Sequence, residues 1–326
     1  MSWSIKRFWA WPWELKRRGV LGINARNLHY IARLNPRRLF VRVDDKAVTK
    51  QICHANGISV PETYGLITRF GDIRRFAQVI GNRQQFVVKP ACGSGGRGVL
   101  VIAENLGDRF ATASGEILSA ADLRYHLAST LSGLFSLGGQ PDKVIVEERV
   151  KRHPAFANLT AGGTPDIRII VLQGEPIAAM LRLPTRESRD RANLHQGAVG
   201  VGIDIRTGAA TTAVHHNRTI ERHPDTGKPI GGFVIPYWSD AVLTAIRLSE
   251  ALELGYVGVD IVLAANGPMV LEANARPGLA IQIANAVGLL DSGDIVFKPP
   301  GRMESRQTPA SRSNCQRQLD GSGRSS

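Results

Sequence analysis

The chain has 326 residues, 43% of them hydrophobic and 21% charged, the composition of an ordinary globular protein able to bury a core. No apolar run approaches the roughly 20 residues that cross a bilayer, and residues 8–13, broken by Pro12, are too short for the core of a signal peptide. The net charge of +13 gathers at the ends, with +9 over residues 1–42, +3 over 301–326 and +1 between, so the body lacks the basic face of a nucleic-acid binder. Cys53, Cys92 and Cys315 lie far apart, which excludes a disulfide scaffold and a cysteine zinc site and predicts a reducing, cytoplasmic setting.

In chain order, residues 1–42 interleave Trp3, Phe8, Trp9, Trp11 and Trp13 with Lys6, Arg7, Lys16, Arg17 and Arg18. Such a segment suits the inner membrane face or an acidic partner protein. It equally suits a terminal helix that packs its indoles on the body. A helix is predicted over 44–57, capped by Asp44 or Asp45, with Ala47, Val48 and Ile52 as its apolar stripe and Gly57 as its stop. Strands follow at 86–88, 98–103 and 143–146, with a helix over 119–131. A strand pair spans 167–172 and 177–183, then a polar, arginine-rich loop covers 185–197. A helix over 239–254 leads into strands at 257–263 and 268–273. This is an α+β pattern, not the regular alternation of a doubly wound sheet. The composition predicts a disordered tail over 299–326.

Four clusters carry chemistry. In Phe86-Val-Val-Lys-Pro-Ala-Cys-Gly-Ser-Gly-Gly-Arg-Gly98, a strand delivers Lys89, and Gly93, Gly95, Gly96 and Gly98 surround Ser94 and Arg97. Glycines let backbone N–H groups approach phosphate oxygens, and lysine supplies a compact positive charge. No GK[ST] closes the loop, so it is not a Walker A motif, and a glycine-rich run alone is also a common flexible turn. The block from Gly258 to Gly278 holds Asp260, Glu272, Asn274 and Arg276 on two apolar strands around Asn266-Gly267-Pro268. A loop of odd length centred on Asn266 places Asp260 opposite Glu272, with Asn274 on the same face. Inward carboxylates with an amide oxygen are costly to bury alone and suit Mg²⁺ held with phosphates. Local arginine partners are the other reading of these acids. Val144-Ile-Val-Glu147-Glu148-Arg149 ends an apolar strand in acids, a solvated strand end or, beside a nucleotide, a hinge that reads adenine. Last come Asp166-Ile-Arg168, Arg182 and Arg191-Ala-Asn193-Leu-His195.

Together these residues resemble the ATP-grasp superfamily over about residues 43–298, nearest in look to RimK-type alpha-L-glutamate ligases and the sugar-transfer-associated ATP-grasp proteins. The resemblance implies two α+β subdomains that clasp ATP between them, the smaller spanning about 60–148. It implies that Lys46 and Lys89 contact the nucleotide, that the 93–98 loop closes over its phosphates, and that Glu148 and Arg149 form the hinge pair beside adenine, next to Glu147. Asp166 falls on a nucleotide contact, Arg182 and Asn193 on residues near the phosphates and metal. Asp260, Glu272 and Asn274 match the magnesium ligands, with Mn²⁺ as the alternative ion. Two departures stand out: only about forty residues precede Asp45 where RimK-type enzymes carry a further domain, and the stretch from Glu148 to Asp166 is longer than theirs.

The implied reaction is ATP-dependent joining of a carboxylate to an amine on small-molecule or peptide substrates, with Arg182 and Arg276 holding the transferred phosphoryl group. The rivals are phosphoryl transfer to a non-carboxylate acceptor, and an ATP-binding module without turnover whose N-terminus binds a membrane or partner.

Overall fold

The computed structural model describes residues 10–93 and 95–290. Ser94, the first nine residues and the tail, on which the disorder expectation falls, lie outside the described residues. Two antiparallel sheets organise the rest. The first comprises β1 (Thr63–Ile67), β2 (Phe86–Pro90), β3 (Leu100–Asn105), β4 (Arg109–Thr112), β5 (Ile117–Ser119) and β6 (Val144–Glu147), in the order β1-β6-β2-β3-β4-β5. The second comprises β7 (Asp166–Leu172), β8 (Glu175–Leu183), β9 (Val199–Ile203), β10 (Ala210–His215), β11 (Arg218–Thr219), β12 (Tyr256–Ala264) and β13 (Gly267–Asn274), in the order β11-β10-β9-β8-β7-β12-β13.

Each sheet buries one face under helices. Helix Ala120–Leu131 starts at Ser119, whose hydroxyl accepts from the Asp122 N–H while Asp122 accepts in return, a reciprocal cap. Its Leu123, Leu127 and Leu131 recur at helical spacing and pack with Phe86, Val88, Ile102 and Val146. Helix Trp238–Leu252 covers the second sheet through Ala241, Ala245, Leu248 and Leu252, all fully buried against Val257, Val259 and Ile261.

Helix Lys46–Ala55 starts as expected: the Asp45 carboxylate accepts from the Ala47 N–H, and Gly57 follows at φ +62°. Its buried face differs from the expected stripe. Ala47, Thr49, Lys50 and Cys53 are buried, whereas Val48 and Ile52 are half-buried. Burial of Lys50 rotates the helix relative to a purely apolar reading.

The change in composition at residue 42 marks no break in packing. Asn35, 3% exposed, donates to the carbonyls of Tyr256 (2.6 Å) and Ala275 (3.0 Å) and accepts from the Tyr256 N–H. Gln282 bridges the backbone of Leu21. The indoles follow neither lead uniformly: Trp11 and Trp13 stack on each other at 4.7 Å and remain 47% and 58% exposed.

Candidate nucleotide and metal site

The β12–β13 hairpin brings the predicted acids together by a different device from the one expected. Its turn is a two-residue one, Ala265-Asn266, because Ala264 pairs with Gly267 and Leu263 with Pro268. Left straight, that register would set Leu271 opposite Asp260. A bulge at Leu271 inserts one residue, after which Asp260 faces Glu272 and Gly258 faces Asn274. The expected odd loop is therefore wrong and the expected pairing right.

Asp260 is 2% exposed and is held from β7 and β8. Arg168, directly across on β7, donates Nε to Oδ1 (2.7 Å) and Nη2 to Oδ2 (2.6 Å), and Arg182 adds Nη2 to Oδ2 (2.8 Å). Arg182 also grips Asp166, its partner across β7–β8, with both nitrogens of its fork. The result is a buried ladder of two carboxylates and two guanidiniums. Burial alone would raise Asp260, but Arg168 and Arg182 override it and hold its carboxylate well below the usual range. Asp166 moves the other way: burial raises its pKa, and the charge of Asp260 adds to that, against the opposing pull of Arg182.

Lys46 links this ladder to the glycine loop. Its Nζ donates to the Gly93 carbonyl (2.6 Å) and lies 3.6 Å from the Glu272 carboxylate. The loop conformation depends on glycine at two points. Gly98 has φ +73°, and a Cβ there would sit 2.5 Å from Phe135. A Cβ on Gly93 would lie 2.5 Å from Pro90. Gly95 and Gly96 are exposed, and the Gly95 carbonyl accepts from Asn193 Nδ2 (3.3 Å) and Gln196 Nε2 (3.5 Å). The arginine-rich loop thus leans on the glycine loop.

Behind them, Glu147 is buried between Lys89 and Lys50 and pairs with both. It therefore faces the lysines. Burial pulls Lys50 below the ordinary lysine pKa, and Glu147 opposes that pull. Glu148 turns its carboxylate toward the Glu62 N–H (3.3 Å), and its own N–H donates to the Glu62 carbonyl. Arg149 is half-buried. Two lysines on one carboxylate leave a buried surplus of positive charge, which a phosphate group would neutralise.

Arg276 stands apart from the ladder. Its Nη2 lies 3.2 Å from both Asp44 oxygens, its guanidinium covers the Phe40 ring at 5.0 Å, and its N–H donates to Asn274 Oδ1. The residues fit a hard divalent cation. Asp260 Oδ1 accepts from Arg168 Nε, and a carboxylate oxygen has two lone pairs; Glu272 lies 3.6 Å from Lys46 Nζ; and Asn274 offers an amide oxygen.

Sequence reasoning missed Lys50, and it allowed arginine partners for the acids without singling out Arg168 as the one on Asp260. Lys50 carried a signal, since it falls between Ala47 and Cys53 at the spacing of the buried helix face. Arg168 carried one only once β7 was known to pair with β12.

Two antiparallel sheets, a glycine-rich loop after β2, and a carboxylate-bearing hairpin joined to that loop through Lys46 are the elements of an ATP-grasp architecture. The family described as sugar-transfer associated ATP-grasp matches residues 25–296, and the chain belongs to it. Among curated proteins it is 27% identical over 244 residues to a probable alpha-L-glutamate ligase of Pseudoalteromonas translucida, covering 74% of this chain and 59% of that protein. It is 28% identical over 263 residues to a protein of the same description from Trichodesmium erythraeum, covering 80% and 65%. The chain thus spans about three fifths of the length of the curated relatives it matches. Solved structures that it resembles include the ATP-grasp ligase PsnB with a minimal precursor (18% identity, TM-score 0.43, 79% and 60% coverage). Another is a D-alanine–D-alanine ligase from Bacillus anthracis (13% identity, TM-score 0.44, 77% and 64% coverage).

Proposed function

We propose that this chain is an ATP- and Mg²⁺-dependent ligase that joins a carboxylate to an amine. The observation that carries the reading is the convergence of Asp260, Glu272 and Asn274 on one hairpin face, with Lys46 bridging Glu272 and the glycine loop. The description of the relatives as probable alpha-L-glutamate ligases supports an amino-acid or peptide substrate.

Asp260, Glu272 and Asn274 would hold the cation, which supplies charge neutralisation for the phosphates. Lys46 and Lys89 bind phosphate oxygens, and the 93–98 loop covers them with backbone N–H groups. The substrate carboxylate oxygen attacks the γ-phosphorus of ATP, the bond to the β-bridging oxygen breaks, and ADP leaves. The amine then attacks the acyl-phosphate carbon, phosphate departs, and the amine loses a proton to give the amide. Arg182, fixed by Asp166, stabilises charge on the phosphoryl group, and Arg276 sits on the loop beyond Asn274 to hold the acyl phosphate.

Trp11 and Trp13, exposed beside Lys16, Arg17 and Arg18, give the enzyme a surface for the anionic inner membrane face. No helix among the described residues is long and apolar enough to cross a membrane. Sedimentation with anionic vesicles, reduced in Trp11→Ala/Trp13→Ala, tests this.

The ligase reading is tested by phosphate release from Mg-ATP with a pooled panel of amino acids and small peptides. Release that needs both an acid and an amine, yields ADP and vanishes in Glu272→Ala supports it. ATP turnover that leaves a stable phosphorylated acceptor and no amide overturns it.

A further inference from the structure

We propose that Glu187, His215 and His216 form a site for a zinc-class transition ion that tethers the 185–197 loop to the β10–β11 hairpin. One ligand atom from each residue lies within 4.8 Å of the other two. Glu187 Oε2 is 2.9 Å from His216 Nε2 and 3.5 Å from His215 Nε2. Ligands about 2.0 Å from a tetrahedral ion are separated by about 3.3 Å, so these two gaps bracket the spacing required.

The backbone explains why adjacent histidines share a target. Successive residues of a strand point to opposite faces. Here His215 ends β10 and pairs with Arg218, while His216 and Asn217 form the two-residue turn at φ +48° and +60°. That left-handed turn carries the His216 ring back over the His215 ring, with centroids 4.1 Å apart. Glu187 is seated by an absence: a Cβ on Gly197, at φ +96°, would lie 2.9 Å from Glu187 Cδ. The Gly197 carbonyl is fixed by Thr185 Oγ1 (2.8 Å) and accepts from His215 Nε2 (3.0 Å). Moving that proton to Nδ1 and turning the ring off the Gly197 carbonyl toward Glu187 frees Nε2 for a metal. His216 and Glu187 are 54% and 56% exposed, against 17% for His215, so an ion and water enter from the His216 side.

Donor chemistry separates this site from the hairpin one. Two imidazoles and one carboxylate suit zinc and its neighbours, whereas the oxygen set of Asp260, Glu272 and Asn274 suits magnesium. The tether also has a mechanical consequence, because the same loop presents Asn193 and Gln196 to the Gly95 carbonyl. An ion at Glu187 would stiffen the support of the glycine loop. The site stands on its own geometry whether or not the ligase reading holds.

The test uses the full chain stripped of metal, titrated with Co²⁺ for its visible spectrum and with Zn²⁺ against a chromophoric chelator. The expected result is one equivalent bound, with affinity lowered at least tenfold in both Glu187→Gln and His216→Asn and unchanged in Glu272→Gln. Asparagine is chosen because it tolerates the left-handed turn, and unchanged melting temperatures of the metal-free variants show that they fold. Zinc should also slow hydrogen exchange over 185–197 in the parent and not in His216→Asn. No Co²⁺ or Zn²⁺ binding tighter than millimolar, leaving only a histidine–glutamate ion pair, overturns the proposal. So does an equivalent of zinc that survives both substitutions.

Discussion

Replacing Arg168 by methionine tests the buried ladder most sharply. Arg168 supplies two of the three guanidinium bonds to Asp260, which is 2% exposed, and methionine keeps most of the side-chain stem while removing the charge. Breaking a buried pair by removing one partner costs about 3–5 kcal/mol, because the other charge is left uncompensated. Arg182 still donates one bond to Asp260, so the lower figure of about 3 kcal/mol applies. In a domain of this size that lowers the melting temperature by about 6–12 °C, at about 2–4 °C per kcal/mol. Thermal unfolding followed by circular dichroism reads it. The double variant Arg168→Met/Asp260→Asn removes the orphaned charge and should melt higher than the single one. A single variant that melts within 2 °C of the parent, or a double variant that melts no higher than the single, would refute the reasoning.

Lys46→Met and Lys89→Met should each weaken ATP binding by about ten- to a hundredfold, the worth of one charge-assisted bond of about 1.5–3 kcal/mol, as read by calorimetry. Gly98→Ala combines a positive φ with a clash against Phe135; it should cost about 1–3 kcal/mol and loosen nucleotide binding, and full affinity would argue against a formed loop. Burial lowers the pKa of His126 and His223. Below about pH 6.5 the unfolded chain therefore takes up protons that the native state refuses. Stability should fall as the pH drops toward the depressed native values, by at most about 1.4 kcal/mol per pH unit for each histidine. Denaturant titrations should show a shallower slope in His223→Gln, and an unchanged slope would contradict the assignment.

The long elements, and the residues that the hairpin brings to one face, were legible because they rest on local rules. Asp45 and Ser119 cap helices as their side chains dictate, and β7, β8, β12 and β13 announce themselves as long apolar runs. What the sequence hid was set by tertiary pairing. The bulge at Leu271 has no local marker, since neither glycine nor proline stands there, yet it alone reconciles a two-residue turn with the Asp260–Glu272 pair. β9 reads Val-Gly-Val-Gly-Ile, where Gly200 and Gly202 look like loop residues. Both sites are crowded: a Cβ on Gly202 would lie 2.6 Å from the Ala284 carbonyl oxygen of helix Ala280–Asn285, and one on Gly200 2.8 Å from Leu194 Cδ2. Glu147 reads in sequence as a solvated strand end or an adenine hinge, and only β6 lying between β1 and β2 explains why it is buried between two lysines.

Equilibrium binding of ATP to the purified chain, with Mg²⁺ and after its chelation, bears most directly on the central claim. One equivalent should bind with a dissociation constant in the micromolar range, weaken on chelation, and weaken likewise in Glu272→Gln with Mg²⁺ present. Failure to bind ATP by a folded chain, or affinity indifferent to both Mg²⁺ and Glu272, would contradict the site described here.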